Sequence, residues 1–265
     1  ETDNQIGVIY LAGSITSSDD NATDNADSST LVDLFDKAAD DDAIKAVVLR
    51  IDSGGGEVNA SEDIRRSLER LSKKIGKPVV VSMGDVAASG AYWIASSADY
   101  IFCSPYTITG SIGVFAVSPS IQKAVQEYFG IHVDGVSVSG RMPYSIFRNP
   151  TEEEKTQAAL EVMHTYSVFL DKVAQGRNLP RTTVEELAQG KIYSGRQAKE
   201  LQLADELGGF ADAVNYAATK AGIKETYSLK VLYKEPPVTD EILKMLLAEN
   251  ARFYNCLLYT SDAAD

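Results

Sequence analysis

The sequence predicts an α/β fold in which helices flank a parallel sheet. In the first half of the chain, apolar segments of strand length alternate with segments of helical periodicity, which is typical of parallel strands joined by crossover helices. The 265 residues, 44% of them hydrophobic, can bury a full core as one large domain or two small ones. This composition excludes global disorder, a collagen helix and a disulfide scaffold.

The first elements follow from local composition. Residues 5–12 are rich in β-favouring side chains and precede Gly13, which predicts a strand. Residues 14–29 are polar, acidic and low in complexity, which predicts a flexible acidic surface loop. Apolar residues at helical spacing predict a helix over 30–40. The same criteria predict strands at 43–52, 78–83 and 100–103, an amphipathic helix at 60–75 and a small-residue helix at 87–98.

Capping signals place the helices of the second half. Ser118 and Pro119 predict the start of a helix that reaches residue 129. Thr151 and Glu154 have the spacing of a capping box, which predicts a long helix over 151–176. The remaining predictions are an extended segment at 132–138, helices at 182–188, 196–201 and 210–221, and a strand at 228–233.

Net charge limits the possible partners. The chain has 38 acidic and 25 basic residues, a net charge of −13. Strong nucleic-acid binding and attachment to anionic membrane surfaces both require clustered Lys and Arg, so we expect neither. No apolar run approaches the ~20 residues of a membrane span. The chain begins at Glu1 and shows no signal peptide, so we expect it to be a piece of a longer protein.

A run of glycines follows the strand predicted at 43–52. The sequence DSGGGE, residues 52–57, lets backbone N–H groups face outward where no Cβ blocks a ligand. Such a loop can hold an anion or a developing oxyanion, although a tight strand-to-helix turn would use the same residues. The phosphate-loop and dinucleotide-binding patterns are absent.

A serine among small residues follows the next predicted strand. In MGDVAASGAYW, residues 83–93, a substrate can approach the hydroxyl of Ser89, although small residues also serve close helix packing. Ala87 and Ala91 replace the glycines of the G-x-S-x-G elbow. Active sites of open α/β sheets lie at the carboxyl ends of strands. The N–H groups of Gly56 and Gly90 could therefore face one point in front of Ser89 Oγ.

Four segments together resemble a known family. IDSGGGEV, VSMGDVAASGAYW, TGSIGVF and GKIYSGRQAKELQLADELGGF are similar in order and spacing to the signal peptide peptidase A family, peptidase family S49. The similarity covers about residues 5–225. It implies a crotonase/Clp-protease-like fold, a repeated ββα superhelix, over residues 1–225. Residues 226–255 would then form a C-terminal extension. Residues 256–265 resemble a translated adapter, and we expect them to be a non-native tail.

The resemblance also implies roles for individual residues. Ser89 corresponds to the nucleophile of a serine–lysine dyad, and Gly56 and Gly90 correspond to the oxyanion hole. Gly55 corresponds to the residue that shapes the substrate-binding loop, and Ser111 to the hydroxyl that orients the base lysine. The family needs no metal or cofactor, and neither Cys103 nor Cys256 has metal-ligand spacing.

The lysine of the dyad is absent where short members of the family carry it. The corresponding segment, residues 136–149, contains only Arg141 and Arg148 as basic residues, and arginine keeps its proton in proteins. We expect both to be surface or ion-paired charges. In the long form of the family the N-terminal half supplies the lysine, and this chain resembles the C-terminal half.

Several consequences follow from that resemblance. We expect the N-terminal half as a partner, assembly into a homo-oligomer, and hydrophobic peptide substrates such as cleaved signal peptides. We also expect an anchor upstream of this chain in the inner membrane, with the catalytic domain on the periplasmic side.

Other readings of the residues remain open. A Ser89–His132–Asp134 triad is one, and Lys123 or Lys155 as the base is another, whereas His164 is expected to be a packing or surface residue. At the level of function, the alternatives are a crotonase-like acyl-CoA enzyme and a non-catalytic assembly half of a peptidase.

Overall fold

The computed structural model describes residues 4–17, 25–135 and 145–234. These residues form the following strands: β1 Gln5–Ala12, β2 Ser14–Thr16, β3 Asn25–Asp27, β4 Ile44–Ser53, β5 Val79–Ala88, β6 Tyr100–Cys103, β7 Ile108–Gly110, β8 Ile192–Ser194, β9 Glu206–Leu207 and β10 Ser228–Val231. They also form the following helices: α1 Ser28–Asp40, α2 Val58–Glu69, α3 Gly90–Ala95, α4 Gln122–Phe129, α5 Glu152–Arg177, α6 Arg181–Leu187, α7 Gly195–Glu200 and α8 Phe210–Lys220. A π-helical segment, Arg70–Ile75, continues α2.

A mostly parallel sheet forms the centre of the molecule. Its strand order is β10-β1-β4-β5-β6-β9, and every pairing along this path is parallel. Strand β7 pairs in parallel with the end of β5 and antiparallel with β8. Strands β2 and β3 form a separate parallel pair. The α/β fold class with a parallel sheet and flanking helices is therefore confirmed.

The two central strands, β4 and β5, are buried almost throughout. Helix α8 packs on the sheet, where Ala213 and Ala217 meet Val48 and Val80. Helix α2 packs against both α1 and α3. Strands covered in this way need apolar side chains at consecutive positions, which explains why β4 and β5 were recognisable as short apolar runs.

Most predicted elements are confirmed to within a few residues. The capping box of α5 is present, with Glu154 N–H donating to Thr151 Oγ1 at 3.2 Å and Thr151 N–H donating to Glu154 Oε2 at 2.8 Å. Strand β10 pairs with β1, so the sheet includes residues beyond the domain boundary that the sequence places at 225. The first of two compact units accordingly ends at Val231.

Several predictions need correction. The loop predicted over 14–29 carries β2 and β3 at its two ends, and α1 already begins at Ser28; residues 18–24 lie outside the described residues. The helix predicted at 87–98 begins only at Gly90, because residues 87–88 extend β5. Ser118 does not cap α4, which begins at Gln122.

The prediction at 132–138 is also corrected. Residues 132–135 form no strand, and the remainder lies outside the described residues. Strands β7, β8 and β9 have two or three residues each, too few for an alternation pattern, and were not predicted.

Candidate active site

The glycine loop after β4 packs directly on the turn that contains Ser89. Gly55 has φ +102°, and a Cβ at this position would lie 2.7 Å from Gly90 N and 2.9 Å from Ala88 O. The N–H of Gly55 donates to Ser53 Oγ at 3.1 Å, which closes the turn. Both the left-handed backbone and the close approach require glycine at residue 55.

Strand β2 holds the next residue of this loop. Ile15 N–H donates to Gly55 O at 3.0 Å, and Glu57 N–H donates to Ile15 O at 2.9 Å. A Cβ on Gly56 would lie only 2.0 Å from Ile15 O. The segment predicted as a polar loop therefore supports the glycine loop from one side.

Ser89 lies at the junction of β5 and α3 in a strained conformation. Its φ is 53° and its ψ is −122°, which is unusual for a residue with a side chain. The N–H of Ser89 donates to Gly110 O at 3.0 Å, and its carbonyl accepts from Trp93 N–H at 2.9 Å. Strain of this kind persists where surrounding contacts enforce it, and it is common at active sites.

Gly56 and Gly90 lie side by side. A Cβ on Gly90 would be 3.2 Å from Gly56 N and 2.5 Å from Ser61 Oγ. Gly90 is the first residue of α3, and Gly56 lies two residues before α2. The first N–H groups of a helix have no carbonyl partner within the helix and remain free to bind an anionic oxygen.

Ser111 follows β7 at the same end of the sheet as Ser89. It too has a left-handed backbone, with φ 49°, and its N–H donates to Lys191 O at 2.8 Å. Thr109 Oγ1 donates to Ala87 O at 2.6 Å and ties β7 to the end of β5. The pairing of β5 with β7 therefore brings the two serines together.

Two cavities meet at Ser89. One, of about 650 Å³, is lined by residues 13–16, residues 54–57, Ser89 and Phe115. The other, of about 450 Å³, contains both serines and is otherwise lined by Gly113, Val114, Phe115, Val162, Met163, Tyr166, Gln189 and Gly190. Phe115 lies between the cavities, since it lines both. The second cavity is mainly apolar and suits a hydrophobic side chain.

The two cavities contain little charge. Glu57 is the only charged side chain among the residues that line them, and it accepts hydrogen bonds from the backbone N–H and the hydroxyl of Ser17. Cys103 is buried, and burial raises the pKa of its thiol to about 11. A thiol of that kind is not an active nucleophile at neutral pH.

The structure brings none of the alternative bases to Ser89. His132 and Asp134 are exposed and line neither cavity, and His164 is exposed on α5. Lys123 pairs with Glu127 at 3.7 Å, and Lys155 pairs with Glu152 at 2.7 Å. Both lysines are solvent-exposed and line neither cavity.

Of the two arginines in the segment without lysine, Arg148 forms a two-pronged ion pair with Glu154, both contacts at 2.8 Å. Arg141 lies outside the described residues.

Sequence reasoning missed several residues that surround Ser89. Ile15 and Thr16 were assigned to a loop, because the acidic stretch beside them hides a three-residue strand. Met163 and Tyr166 lie in the helix predicted over 151–176 and were not singled out as site residues. Gly190 begins the fourth family-like segment, which was the one available signal for that wall of the cavity.

Comparisons with known proteins point to one family. The family model described as Peptidase family S49 matches residues 71–224. The chain is 43% identical over 214 residues to Protease 4 of Haemophilus influenzae, an alignment that covers 81% of this chain and 34% of that protein. It is 38% identical over 243 residues to Protease 4 of Salmonella typhi, covering 92% of this chain and 39% of that protein.

More distantly related proteins are also similar to the chain. The chain is 36% identical over 184 residues to the chloroplastic serine protease SPPA of Arabidopsis thaliana, covering 68% of this chain and 26% of that protein. A solved structure of a membrane-bound stomatin-specific protease superposes with a TM-score of 0.55 at 16% identity, covering 88% of this chain and 99% of that one. This structural match supports the Clp/crotonase-like fold. The chain spans little more than a third of the length of the two Protease 4 relatives.

Proposed function

This chain belongs to peptidase family S49, and we propose that it is the serine-bearing half of a peptidase that cleaves hydrophobic peptides. The observation that carries the proposal is the position of Ser89. It occupies a strained turn at the junction of two cavities, beside the adjacent glycines Gly56 and Gly90. A role in packing alone would not require a serine with a left-handed backbone at that junction.

In the proposed reaction, Ser89 Oγ attacks the carbonyl carbon of the scissile peptide bond and loses its proton to a general base. The carbonyl oxygen becomes an oxyanion and accepts hydrogen bonds from the N–H groups of Gly56 and Gly90. The C–N bond then breaks, the amine takes the proton from the base, and an ester to Ser89 remains. Water hydrolyses this ester by the same steps and releases the second product.

The 450 Å³ cavity supports a preference for hydrophobic residues. Val114, Phe115 and Met163 contribute apolar surface next to Ser89. A hydrophobic side chain beside the scissile bond, as in a cleaved signal peptide, would bury its surface there. Gly55 keeps the glycine loop close to the turn that contains Ser89, since a Cβ at this position would meet Gly90 N and Ala88 O.

We propose that the base is a lysine from the N-terminal half of the same protein, oriented by the hydroxyl of Ser111. Two observations support this. Within the described residues, the linings of both cavities lack lysine and histidine. Ser111 lines the same cavity as Ser89, so a lysine that entered this cavity could contact both hydroxyls.

An exposed apolar segment next to the site supports a docked half or subunit. We use this name for residues 115–135 and 145–163. Large apolar side chains exposed in it include Phe115, Val117, Tyr128, Phe129, Leu160 and Met163. Exposed apolar surface on this scale is typical of an interaction site. Phe115 and Met163 also line the cavity with both serines, so a docked half would reach that cavity.

The proposal includes a location. We expect the parent protein to be held in the inner membrane by a segment outside this chain, with this domain on the periplasmic side. Among the described residues, none of the helices has the length and hydropathy needed to cross a bilayer. Fractionation of the full-length protein, with protease accessibility in spheroplasts, tests this location.

The direct test is labelling of Ser89 with a fluorophosphonate probe. The chain is labelled alone and with the N-terminal half of its parent protein, with Ser89→Ala as the control. We expect weak labelling of the chain alone, strong labelling of the complemented chain, and none in Ser89→Ala. Strong labelling that survives in Ser89→Ala would contradict the nucleophile. Strong labelling of the chain alone that disappears in Ser89→Ala would contradict a base supplied in trans.

A further inference from the structure

Two shielded hydrogen bonds hold α2 and α3 together. Gly90 is the first residue of α3, and Gly56 lies two residues before α2. Trp93 Nε1 in α3 donates to Glu62 Oε2 in α2 at 2.8 Å. Arg65 Nη1 in α2 donates to Ser97 Oγ, just beyond α3, at 3.3 Å. Trp93 is 3% exposed and the Arg65 side chain 4% exposed. Water therefore competes little for either bond, and the two helices are held in a defined relative position.

Glu62 is itself fixed from three directions. Its Oε2 also accepts from Arg65 Nε at 2.7 Å, and its Oε1 accepts from Arg65 Nη2 at 3.0 Å and Arg66 Nε at 2.9 Å. Burial raises the pKa of Glu62, but the hydrogen bonds from Arg65, Trp93 and Arg66 outweigh burial and bring the pKa down to about 2. The carboxylate is therefore charged and held in one orientation at neutral pH.

The relative position of α2 and α3 contributes to the distance between the two N–H groups of the site, because Gly90 begins α3 and the loop with Gly56 leads into α2. Gly56 and Gly90 are close enough that a methyl group on Gly90 would lie 3.2 Å from Gly56 N. Ser61 of α2 occupies the neighbouring space and prevents a closer approach. A small shift of α3 along α2 would move one donor relative to the other. A misplacement of about 1 Å can cost on the order of 10²-fold in rate.

We propose that Glu62 is a positioning residue of this site, which holds α3 against α2 through the indole of Trp93 and so fixes the separation of the Gly56 and Gly90 N–H groups. The inference rests on the proposed function, because it assigns those two groups to the oxyanion. Glu62 touches neither substrate nor Ser89 in this account and acts only through the helix pair.

The kinetic test uses the active preparation identified by the labelling experiment, with an apolar peptide ester as substrate. Trp93→Phe removes the N–H donor and keeps most of the ring packing, and Glu62→Ala removes the acceptor. We expect each to lower kcat about tenfold, with KM within about twofold, since the oxyanion forms only after substrate has bound. Glu62→Gln keeps an amide oxygen for the indole N–H and should recover most of the loss.

A second measurement does not depend on activity. Selective ¹⁵N-glycine labelling of this chain, which has 19 glycines, gives a spectrum in which the amides of Gly56 and Gly90 can be followed after assignment. In Trp93→Phe and Glu62→Ala we expect both amide signals to move or broaden, whereas distant glycines such as Gly222 keep their positions. Unchanged Gly56 and Gly90 signals in both variants would overturn the inference.

The controls separate positioning from loss of stability. Phe35→Leu weakens the core under α1 and should lower Tm about as much as Trp93→Phe does. It should not lower kcat. Lys73→Ala removes an exposed ion pair with Glu69 from the adjoining helical segment and should leave kcat unchanged. Equal kcat losses in Phe35→Leu and Trp93→Phe, or no rescue by Glu62→Gln, would reject a positioning role. If the chain with Ser89→Ala keeps its activity, the proposed function fails instead, and the amide signals still decide the role of Glu62.

Discussion

The central sheet with the helices packed around it, here called the sheet region, and the exposed apolar segment use apolar residues in opposite ways. Strand β4 buries most of its side chains under α8 and the helices around it. Helix α4 of the exposed apolar segment buries none, and Tyr128 and Phe129 are 81% and 74% exposed. The sheet region thus completes its own packing, whereas the exposed apolar segment leaves large apolar side chains in solvent, which is typical of an interaction site.

This contrast runs through the candidate site. The sheet region provides Ser89, Ser111 and the two adjacent glycines, each held by backbone hydrogen bonds or close packing. The exposed apolar segment provides Phe115 and Met163, which line the cavity that contains both serines but are themselves mostly exposed. The proposed catalytic groups, which need sub-ångström placement, thus lie in the sheet region, and the proposed contacts with a substrate side chain or a partner lie in the exposed apolar segment.

The largest difference between the two regions should appear in stability. Phe35 of α1 is fully buried, so Phe35→Ala removes its buried contacts and leaves a cavity. We expect the free energy of unfolding to fall by about 3–5 kcal/mol. Phe129→Ala, the matched change in the exposed apolar segment, should change it by less than about 0.5 kcal/mol. Urea titration of both variants measures this, and a large loss in Phe129→Ala would show that α4 packs within the chain.

The next effect concerns a single methyl group in the glycine loop. In Gly55→Ala the new Cβ would meet Gly90 N, Ala88 O and Ser89 Cβ, all at less than 3.0 Å, and φ would remain left-handed. We expect the rate of fluorophosphonate labelling of the complemented chain to fall about 10²-fold, comparable to the loss of an oxyanion donor.

Gly54→Ala is the matched control, because a Cβ at residue 54 meets no atom within 4 Å. It should label at nearly the wild-type rate. If both variants label alike, the close approach of Gly55 to the Ser89 turn is unimportant for the reaction.

A third effect separates the regions by pH. The folded-state pKa of Glu62 is about 2, against 4.5 for the free side chain. Its ionised form therefore contributes stability above about pH 4.5, and this contribution is lost as the pH falls towards 2. We expect Glu62→Gln to be about 2 kcal/mol less stable than the wild type at pH 6, with the difference shrinking below pH 4.5. This expected difference is smaller than the pKa shift alone would give, because the Glu62 side chain is 17% exposed and solvent screens part of its interactions.

Glu154 is the comparison in the exposed apolar segment. Its hydrogen bonds with Arg148 and Thr151 also bring its pKa down to about 2, but the pair is more exposed than Glu62, at 23% for Arg148 and 35% for Glu154. Glu154→Gln should give a smaller stability difference, one that added salt removes. Chemical unfolding of both variants between pH 3 and pH 6, at low and high salt, measures the contrast. If the loss of unfolding free energy in Glu62→Gln is as sensitive to salt as the loss in Glu154→Gln, Glu62 lies in open solvent.

The sequence predicted the sheet region better than the space around it. Strands β1, β4 and β6 were found because buried parallel strands need apolar runs, and α5 because its capping box is a local signal. Ser89 and the glycine loop could be singled out because each directly follows such a strand. From the sequence, the side-by-side approach of Gly56 and Gly90 is only a hypothesis, since no local pattern encodes a contact across 34 positions.

Two kinds of feature were beyond sequence reasoning. Strand β2 has three residues and owes its place to hydrogen bonds between Ile15 and the glycine loop, so its own composition carries no signal. The left-handed backbone of Ser89 and Ser111 is enforced by neighbours, namely the carbonyls of Gly110 and Lys191 that accept from their N–H groups. Such long-range constraints override local preference and explain why the helix predicted at 87–98 begins later.

The smallest effect compares one hydrogen bond in each region. Thr109 Oγ1 donates to Ala87 O at 2.6 Å in a buried position between β7 and β5, and Thr156 Oγ1 donates to Glu152 O at 2.8 Å on the exposed surface of α5. Thr109→Val should cost about 1–2 kcal/mol of unfolding free energy, because Ala87 O loses its buried donor. Thr156→Val should cost nearly nothing, since water replaces the hydroxyl.

The Thr109 bond also fixes β7, so Thr109→Val should slow Ser89 labelling in the complemented chain. A Thr109→Val variant with wild-type labelling and stability would mean that β7 is held to β5 by its backbone alone.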